Sequence, residues 1–249
     1  MQPLSPPVPW SRFVALGDSL TEGVGDPVGG SLTGWADRLA RALRVLNPRL
    51  AYWNLARRSL TTAHVHDQQL PRALKLRPDL AGVVAGMNDL LAERFDAETY
   101  ARELTAIVRP LSDTGATVLM GTFPDDLPVL RLARRKVARK FRTRLHEASE
   151  VVRTIAADHN AVCVDSPGGW RYGMADCSLD GCHPNARGHA LIAELALAAL
   201  CERGGLPAAR IARDGCGWLA TSVGHLRWLA SEGYLRRPPI PEVLRGSGD

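Results

Sequence analysis

The sequence predicts an α/β domain built on a parallel sheet, because short apolar runs alternate with longer segments of helical periodicity. The apolar runs have the length and composition of buried parallel strands, and they lie at 13–16, 50–55, 80–85, 116–121 and 161–165. Apolar residues recur at helical spacing at 35–46, 100–111, 141–155 and 189–200. Repeated βαβ units cover both faces of a sheet with helices. We therefore expect a flavodoxin-like three-layer α/β/α sandwich with a parallel five-stranded sheet.

We expect the packed domain to span residues 12–204, with an N-terminal tail at 1–11 and a C-terminal extension at 205–249. The extension differs from the domain in composition. Its large apolar residues, Trp218, Leu226 and Trp228, predict one more helix. Its end is rich in Pro, Gly and Arg, which predicts a mobile tail.

The composition excludes a disordered chain and a membrane-spanning one. Hydrophobic residues make up 45% and charged residues 23% of the sequence, as in globular domains with a sizeable core. No apolar run approaches the roughly 18 residues that a membrane-spanning helix requires. The N-terminal residues 1–10 contain four prolines and no cationic start, so we expect no secretory signal.

The cysteines and histidines show no metal-binding pattern. The five cysteines are an odd number without metal-finger spacing, which favours reduced thiols and a cytoplasmic protein. Cys177 and Cys182 are close enough in sequence for a local disulfide, and the sequence leaves that open. His64, His66 and Asp67 resemble part of a metallohydrolase motif but lack its closing histidine, so no metal site is predicted.

A candidate nucleophile follows the first predicted strand. Gly17, Asp18, Ser19 and Leu20 come directly after the run at 13–16. Open α/β sheets place their ligands at this end of their strands. The Ser19 hydroxyl can attack a bound substrate, and the Ser19 N–H can point at a developing oxyanion. Alone the motif is weak evidence, because Asp or Ser before a helix is more often a cap.

A candidate base follows the last predicted strand. Asp180 precedes His183 by three residues across a turn, just before the helical segment at 189–200. An aspartate so placed can accept a hydrogen bond from Nδ1–H and leave Nε2 free to take a proton from a serine. The alternative is a turn aspartate and a histidine at the start of a helix.

A candidate oxyanion donor follows the strand at 80–85. Gly86, Met87, Asn88 and Asp89 stand there. A carboxamide N–H₂ is neutral and directional, which suits it to hold an oxyanion. Asn88 and Asp89 could instead cap the next helix, or Asp89 could brace the loop while Asn88 faces the site.

Taken together, the three motifs supply a nucleophile, a base with its orienting group, and an oxyanion donor. They also resemble, in the same order, the sequence blocks of the SGNH or GDSL hydrolases, over roughly residues 13–200. The resemblance implies a catalytic triad of Ser19, His183 and Asp180 and the flavodoxin-like fold. It also implies an oxyanion hole with the Ser19 backbone and the Asn88 side chain, and no cofactor.

The chain departs from this family in the second block. The family usually has a glycine after the strand at 50–55, whose N–H enters the oxyanion hole, and Ser59 is the expected equivalent here. Serine also offers a backbone N–H. Glycine reaches positive φ without steric cost and serine does not. We therefore expect a hole that is shifted, or strained by about 1–3 kcal/mol.

These residues predict a serine esterase that hydrolyses small-molecule acyl esters through an acyl-enzyme. Asp18, Gly86 and Asp89 are expected to support the site. An acyltransferase and a carbohydrate deacetylase would use the same triad, and a non-catalytic binding module with a decayed site is a further alternative. Residues 170–172 are expected to line the acyl or leaving-group pocket, and a buried packing role is the alternative for Trp170.

The net charge of +5 is concentrated at 131–144, which contains eight Lys or Arg and no acid. Nucleic-acid binding is disfavoured, because Phe141 is the only aromatic residue in the segment. The favoured interpretation is a solvated helix whose arginine stems cover apolar surface. Alternatively the segment borders the active-site mouth and favours anionic substrates or an anionic membrane surface. Charge reversal at Arg134, Arg135 and Arg139 would then abolish that preference.

Overall fold

The computed structural model describes residues 10–28, 31–165, 173–204, 210–217 and 223. Along the chain these residues form β1 (Arg12–Gly17), α1 (Ser19–Glu22), β2 (Pro27–Val28), β3 (Ser31–Leu32), α2 (Trp35–Leu46), β4 (Ala51–Asn54), α3 (Thr62–Gln68), α4 (Leu70–Leu76), β5 (Leu80–Val84), α5 (Met87–Leu90), α6 (Ala97–Asp113), β6 (Thr117–Gly121), α7 (Arg135–Asp158), β7 (Val162–Val164) and α8 (Ala186–Gly204), with 3₁₀ turns at Pro128–Arg131 and Met174–Asp176. None of the described helices is both long and apolar enough to cross a membrane.

The five predicted strands form one parallel sheet in the order β4-β1-β5-β6-β7. This is the flavodoxin-like order, in which the chain starts near the centre, moves to one edge and then crosses to the other. Because all five strands run in the same direction, their carboxyl ends meet at one edge of the sheet. The predicted fold class is confirmed.

Helices cover both faces of the sheet, and β1 shows how its residues serve both layers. Val14 and Leu16 belong to a buried cluster with α3, α4, α6 and α7. Phe13 and Ala15 belong to a second cluster with α2 and α8. Successive strand residues point to opposite faces, so an unbroken apolar run is what a sheet between two helical layers requires.

The long helices match the predicted periodic segments, whereas the short elements were not predicted. The four predicted segments are α2, α6, α7 and α8. The structure adds the β2–β3 hairpin and helices α1, α3, α4 and α5, which are too short to show a clear apolar period. The helix predicted from Trp218, Leu226 and Trp228 lies outside the described residues, and the domain boundaries stay predictions.

Trp10 and the segment at 210–217 contact the sheet or its helices. Trp10, which we assigned to the N-terminal tail, is buried, and its Nε1 donates to Thr117 Oγ1 at 3.1 Å. Arg38 of α2 is fully buried and forms an ion pair with Asp26 at 2.6 Å. Its guanidinium also donates to the carbonyl oxygens of Ala212 and Asp214 at 2.7 and 2.9 Å. A buried arginine is tolerated only when such partners replace its lost hydration, so these contacts hold Ala212 and Asp214 against α2.

His189 of α8 is a buried neutral histidine that joins α8 to α2. Its Nδ1 accepts from the Trp35 backbone N–H at 3.2 Å, and its Nε2 lies 3.1 Å from the Val24 carbonyl oxygen. These partners require a proton on Nε2 and none on Nδ1. Burial lowers the pKa of His189 to about 3, because a charged imidazolium would lose its hydration there.

We expect His189 to make the stability of the fold depend on pH. Its folded pKa of about 3 lies below the ordinary value of 6.5, so unfolding takes up a proton between these two pH values. The free energy of unfolding should therefore rise with pH across this window and reach its full value above pH 6.5. One such group contributes at most about 1.4 kcal/mol per pH unit.

Urea denaturation at two pH values, about 5 and about 7, measures this slope in wild type and in His189→Gln, which keeps a donor and an acceptor. The variant should depend less on pH than wild type. His146→Gln, at an exposed position of α7, serves as the control and should not change the slope. An unchanged slope in His189→Gln would contradict the assignment.

Candidate active site

The end of β1 places Ser19 at the carboxyl edge of the sheet. Asp18 caps α1 by accepting a hydrogen bond from the Leu20 N–H at 3.1 Å, and Ser19 is the first residue of that helix. Gln69 lies between α3 and α4 and bonds both backbone groups of Gly17, at 2.9 Å to N and 2.8 Å to O. This buried side chain fixes the backbone two residues before Ser19. No sequence motif pointed to Gln69, because a glutamine in a helical segment is ordinary.

The turn before α8 is built around the carboxylate of Asp180, which is only 5% exposed. Its Oδ1 accepts hydrogen bonds from the Ser178 hydroxyl and from the N–H groups of Cys182 and His183, each at 2.9 Å. Its Oδ2 lies 2.6 Å from His183 Nδ1. A carboxylate only accepts, so the Nδ1 atom is the protonated one. The turn therefore fixes both the orientation of the imidazole and its tautomer.

His183 reaches Ser19 across the edge of the sheet. Its Nε2 lies 2.8 Å from the Ser19 Oγ, although the two residues are 164 positions apart in the chain. Asp180, His183 and Ser19 thus form one continuous line of hydrogen bonds. The structure brings together the three residues that the sequence motifs singled out, and their catalytic roles are taken up below.

The charges around His183 raise the pKa of its imidazole. Burial lowers the pKa of His183, but its hydrogen bond to Asp180 and the charges of Asp180 and Asp18 outweigh that effect, so the pKa is raised above 6.5. For Asp180 burial acts in the opposite direction and raises the pKa. The hydrogen bonds from the His183 side chain and from the backbone N–H groups of the turn outweigh this effect, so the pKa of Asp180 is lowered. Burial raises the pKa of Asp18 to about 6. The imidazole is therefore a better proton acceptor than an isolated one.

Asn88 and Asp89 lie inside the short helix α5 and do not cap it, because its N-cap residue is Gly86. Asn88 Nδ2 donates to the Leu60 carbonyl oxygen at 2.8 Å, which leaves its second N–H for another acceptor. Asp89 instead accepts from the backbone N–H and hydroxyl of Thr62 at 3.0 and 3.1 Å, at the start of α3. The bracing interpretation of Asp89 matches these contacts.

Gly86 occupies a position that no other residue fits. Its φ is +125°, and a Cβ atom there would lie 2.6 Å from the ring of Tyr100. Tyr100 is itself fixed, because its hydroxyl donates to the Ala85 carbonyl oxygen at 3.0 Å. The close approach of Tyr100 to the backbone sets the point where β5 ends and α5 begins.

Ser59 has the left-handed conformation that the glycine of the family pattern would adopt easily, with φ of 66°. The loop around it is held on both sides. Arg58 binds Glu22 of α1 through its backbone N–H at 2.8 Å and its Nε at 2.9 Å, and the Leu60 carbonyl binds Asn88. For a residue with a side chain this conformation costs about 1–2 kcal/mol. The loop contacts therefore hold Ser59 in a strained backbone conformation.

A cavity of about 70 Å³ opens at Ser19 and His183. Its walls come from the carboxyl ends of β5, β6 and β7, from the loop at 122–127 and from helices α2 and α8. The lining is mostly apolar, apart from the Ser19 and His183 side chains and the residues beside them. Convergent polar groups at the end of an apolar cavity are typical of a small-molecule site.

The basic segment at 131–144 divides into structural and exposed residues. Arg144 is buried and donates to the carbonyl oxygens of Leu90, Ala92 and Glu93 at 2.6, 2.7 and 2.8 Å, so it fixes the chain after α5. Most of the other cations of the segment, among them those at 134–136 and 139–140, are exposed. A preference for anionic substrates or surfaces stays a prediction.

Three further expectations concern residues around the site. Cys177 and Cys182 are both free thiols, so the local disulfide that the sequence left open is not formed. Within the described ranges, no group of three or more His, Cys, Asp or Glu is arranged to hold a metal ion. Residues 170–172, expected to line the pocket, lie outside the described residues.

A family model matches most of the chain. The model of the GDSL-like Lipase/Acylhydrolase family matches residues 15–191, from β1 into α8. No curated protein matches the sequence. The match covers the segments that contain Ser19, Asn88, Asp180 and His183.

Solved structures share the fold at low sequence identity. One is LAE5, an alpha/beta hydrolase enzyme from the metagenome of Lake Arreo, Spain, with 22% identity and a TM-score of 0.63 over 80% of this chain and 97% of that one. Another is Axe2, an acetylxylan esterase from Geobacillus stearothermophilus, with 18% identity and a TM-score of 0.61 over 76% of this chain and 94% of that one. At these identities the similarity shows the fold alone.

We predict that Ser59→Gly stabilises the protein. Glycine adopts a φ near 66° without steric cost, and its greater freedom in the unfolded chain offsets part of the gain. The expected net effect is an increase of about 0.5–1 kcal/mol in the free energy of unfolding, measured by urea denaturation. Ser59→Ala keeps the Cβ atom and should give no such increase. Equal stability of Ser59→Gly and Ser59→Ala would show that the backbone is not strained.

Proposed function

Because the chain belongs to the GDSL-like lipase/acylhydrolase family and is accordingly an ester-hydrolysing enzyme, we propose that it cleaves carboxylic esters through an acyl-enzyme on Ser19. The observation that supports this proposal most directly is the line of hydrogen bonds from Asp180 to His183 to Ser19, at 2.6 and 2.8 Å. This is the geometry in which a base activates a serine hydroxyl.

In the first step His183 takes the hydroxyl proton of Ser19 as the Oγ attacks the ester carbonyl carbon. Asp180 keeps the proton of the imidazole on Nδ1, so the lone pair of Nε2 faces the hydroxyl. When Nε2 becomes protonated, the buried carboxylate stabilises the imidazolium. The raised pKa of His183 and the lowered pKa of Asp180 both favour this charge-separated state.

The negative charge that develops on the carbonyl oxygen needs hydrogen-bond donors. We assign this role to the N–H groups of Ser19 and Ser59 and to the second N–H of Asn88. The Leu60 carbonyl holds the Asn88 amide in place, so little reorganisation is needed when the oxyanion forms. The same Leu60 follows Ser59, which ties the two donors to one loop.

The tetrahedral intermediate collapses when the ester C–O bond breaks. The alcohol leaves with the proton from His183, and an acyl-enzyme remains on Ser19. Water then enters, gives its proton to His183 and attacks the acyl carbon, and the carboxylic acid departs as Ser19 recovers its proton. Each step uses the same base and the same oxyanion donors.

The catalytic mutants of Axe2 support this assignment. Three of its structures are described as catalytic mutants, in which a serine, an aspartate or a histidine is replaced by alanine. The aspartate precedes the histidine by three positions there, as Asp180 precedes His183 here. Axe2 acts on acetylated xylan, and for this chain a carbohydrate deacetylase remains one alternative. An acyltransferase would differ only in the acceptor of the second step.

The test combines turnover with labelling of the nucleophile. Wild type and Ser19→Ala are assayed on p-nitrophenyl esters of short and medium acyl length, and each is analysed by mass spectrometry after reaction with a fluorophosphonate. We expect wild type to hydrolyse the esters and to gain one adduct on Ser19, and the variant to lose at least about 10³-fold in kcat. Ser31→Ala, at an exposed position of the β2–β3 hairpin that does not line the cavity, controls for loss of any serine.

Two results would contradict the proposal. If the adduct forms on another residue, that residue and not Ser19 is the nucleophile. If folded wild type shows neither turnover nor an adduct, the result favours a binding module with a decayed site. If the acyl group passes to an added alcohol in preference to water, the chain is an acyltransferase on the same triad.

A further inference from the structure

The cavity at Ser19 continues into the layer between the sheet and helices α2 and α8. The residues at this depth are almost completely shielded from solvent, with exposures of 1% for Trp35, 1% for Leu119, 5% for Val164, 8% for Ile192 and 1% for Ala196. They line the same cavity as the Ser19 hydroxyl. A group that extends inward from Ser19 would therefore be surrounded by core side chains.

The side chains of these walls favour a hydrocarbon group as the occupant of the cavity. Their side chains carry one polar atom, Nε1 of Trp35, and it donates to the Thr21 hydroxyl at 3.3 Å. A sugar or a charged group placed there would lose its hydration without finding partners. Apolar cavities of this kind bind apolar ligands and exclude water.

The direction of the leaving group indicates which half of an ester occupies this cavity. The alcohol departs with the proton on Nε2 of His183, which stands where the cavity opens and whose side chain is 26% exposed, so the alcohol has a path to solvent there. Two of the oxyanion donors that we assign, Ser59 and Asn88, follow β4 and β5, which flank β1 on its two sides. The cavity runs toward β6, β7 and α8, which leaves it for the acyl chain.

We propose that this cavity is an acyl-chain pocket and that the preferred substrates are esters of unbranched apolar acids of medium chain length, longer than acetate. This inference rests on the proposed function, since it uses an acyl-enzyme on Ser19. The cavity volume is about 70 Å³. A single water needs only about 10–15 Å³ of cavity space, so the cavity has room for more than the methyl group of an acetate.

The proposal predicts that kcat/KM rises with acyl chain length, which an enzyme specific for acetyl esters would not show. Burial of each methylene should raise kcat/KM by about threefold to fourfold until the cavity is full. We expect hexanoate to exceed acetate by at least about tenfold, and laurate to fall below hexanoate. The measurement uses p-nitrophenyl esters of increasing acyl length, kept below the concentration at which they form micelles. A parallel series of alkyl acetates varies the alcohol alone and should show little gain.

Two variants on α8 change the depth of the pocket in opposite directions. Ala196→Leu places a larger, branched side chain in the buried wall of the cavity. It should lower kcat/KM on hexanoate by about tenfold, while kcat/KM on acetate changes by less than about twofold. Ile192→Ala removes three carbons from the wall and should shift the optimum to longer acyl chains.

Matched controls stand on the same helix, since Ala198 and Leu191 are exposed and do not line the cavity. Ala198→Leu and Leu191→Ala should leave the profile unchanged.

The outcomes separate this inference from the proposed function. The acyl-pocket inference is wrong, although the proposed esterase activity is not, in any of three cases. Either acetate is the best acyl group, or kcat/KM rises with the length of the alcohol in the alkyl acetates, or Ile192→Ala leaves the dependence on acyl length unchanged. If folded wild type gives neither turnover nor a fluorophosphonate adduct, the proposed function fails and this inference fails with it. Should Ala196→Leu not fold, Ile192→Ala decides the matter.

Discussion

The carboxylate of Asp180 is the group on which the geometry of the site depends. It accepts four hydrogen bonds, three from the turn that contains it and one from the imidazole of His183. Burying an unpaired carboxylate would cost several kcal/mol, so these donors are needed for the turn to exist in this form. Because two of them are the Cys182 and His183 N–H groups, the same contacts that satisfy the charge also aim Nε2 at Ser19. Removing the carboxylate would therefore disturb the turn and, with it, the tautomer and the orientation of the His183 imidazole.

The parallel sheet explains why residues so far apart in the chain meet. Ser19 follows β1, Asn88 follows β5, and His183 lies beyond β7, so all three are at the carboxyl edge. Gln69 fixes the backbone before Ser19, and the Leu60 carbonyl fixes the amide of Asn88. The cavity has the same origin, because α2 and α8 cover the face of the sheet but leave space at its carboxyl edge. The space that the two helices leave is the cavity to which we assign the acyl chain.

The sequence predicted the parts of the fold that depend on local pattern. Buried parallel strands are apolar throughout and long helices show a clear period, so the sheet and α2, α6, α7 and α8 could be assigned. The strain at Ser59 was also expected, because the family pattern has glycine there and the structure has φ of 66°. Contacts between distant residues could not be derived, such as the ion pair of Arg38 with Asp26 or the bonds of Gln69 to Gly17. Arg144 shows the same limit: its sequence neighbours suggested a solvated cation, but three carbonyl oxygens after α5 bind it in the interior.

The most direct test of this account is the rate at which a fluorophosphonate labels Ser19 in wild type and in Asp180→Asn, followed across pH by mass spectrometry. If Asp180 holds the tautomer that activates Ser19, the wild-type rate should rise with pH through an apparent pKa above 6.5, the ordinary value for His183. The variant, shown to be folded by its thermal unfolding, should be labelled about 10³–10⁴-fold more slowly. Labelling of folded Asp180→Asn at the wild-type rate, with the same dependence on pH, would contradict the account.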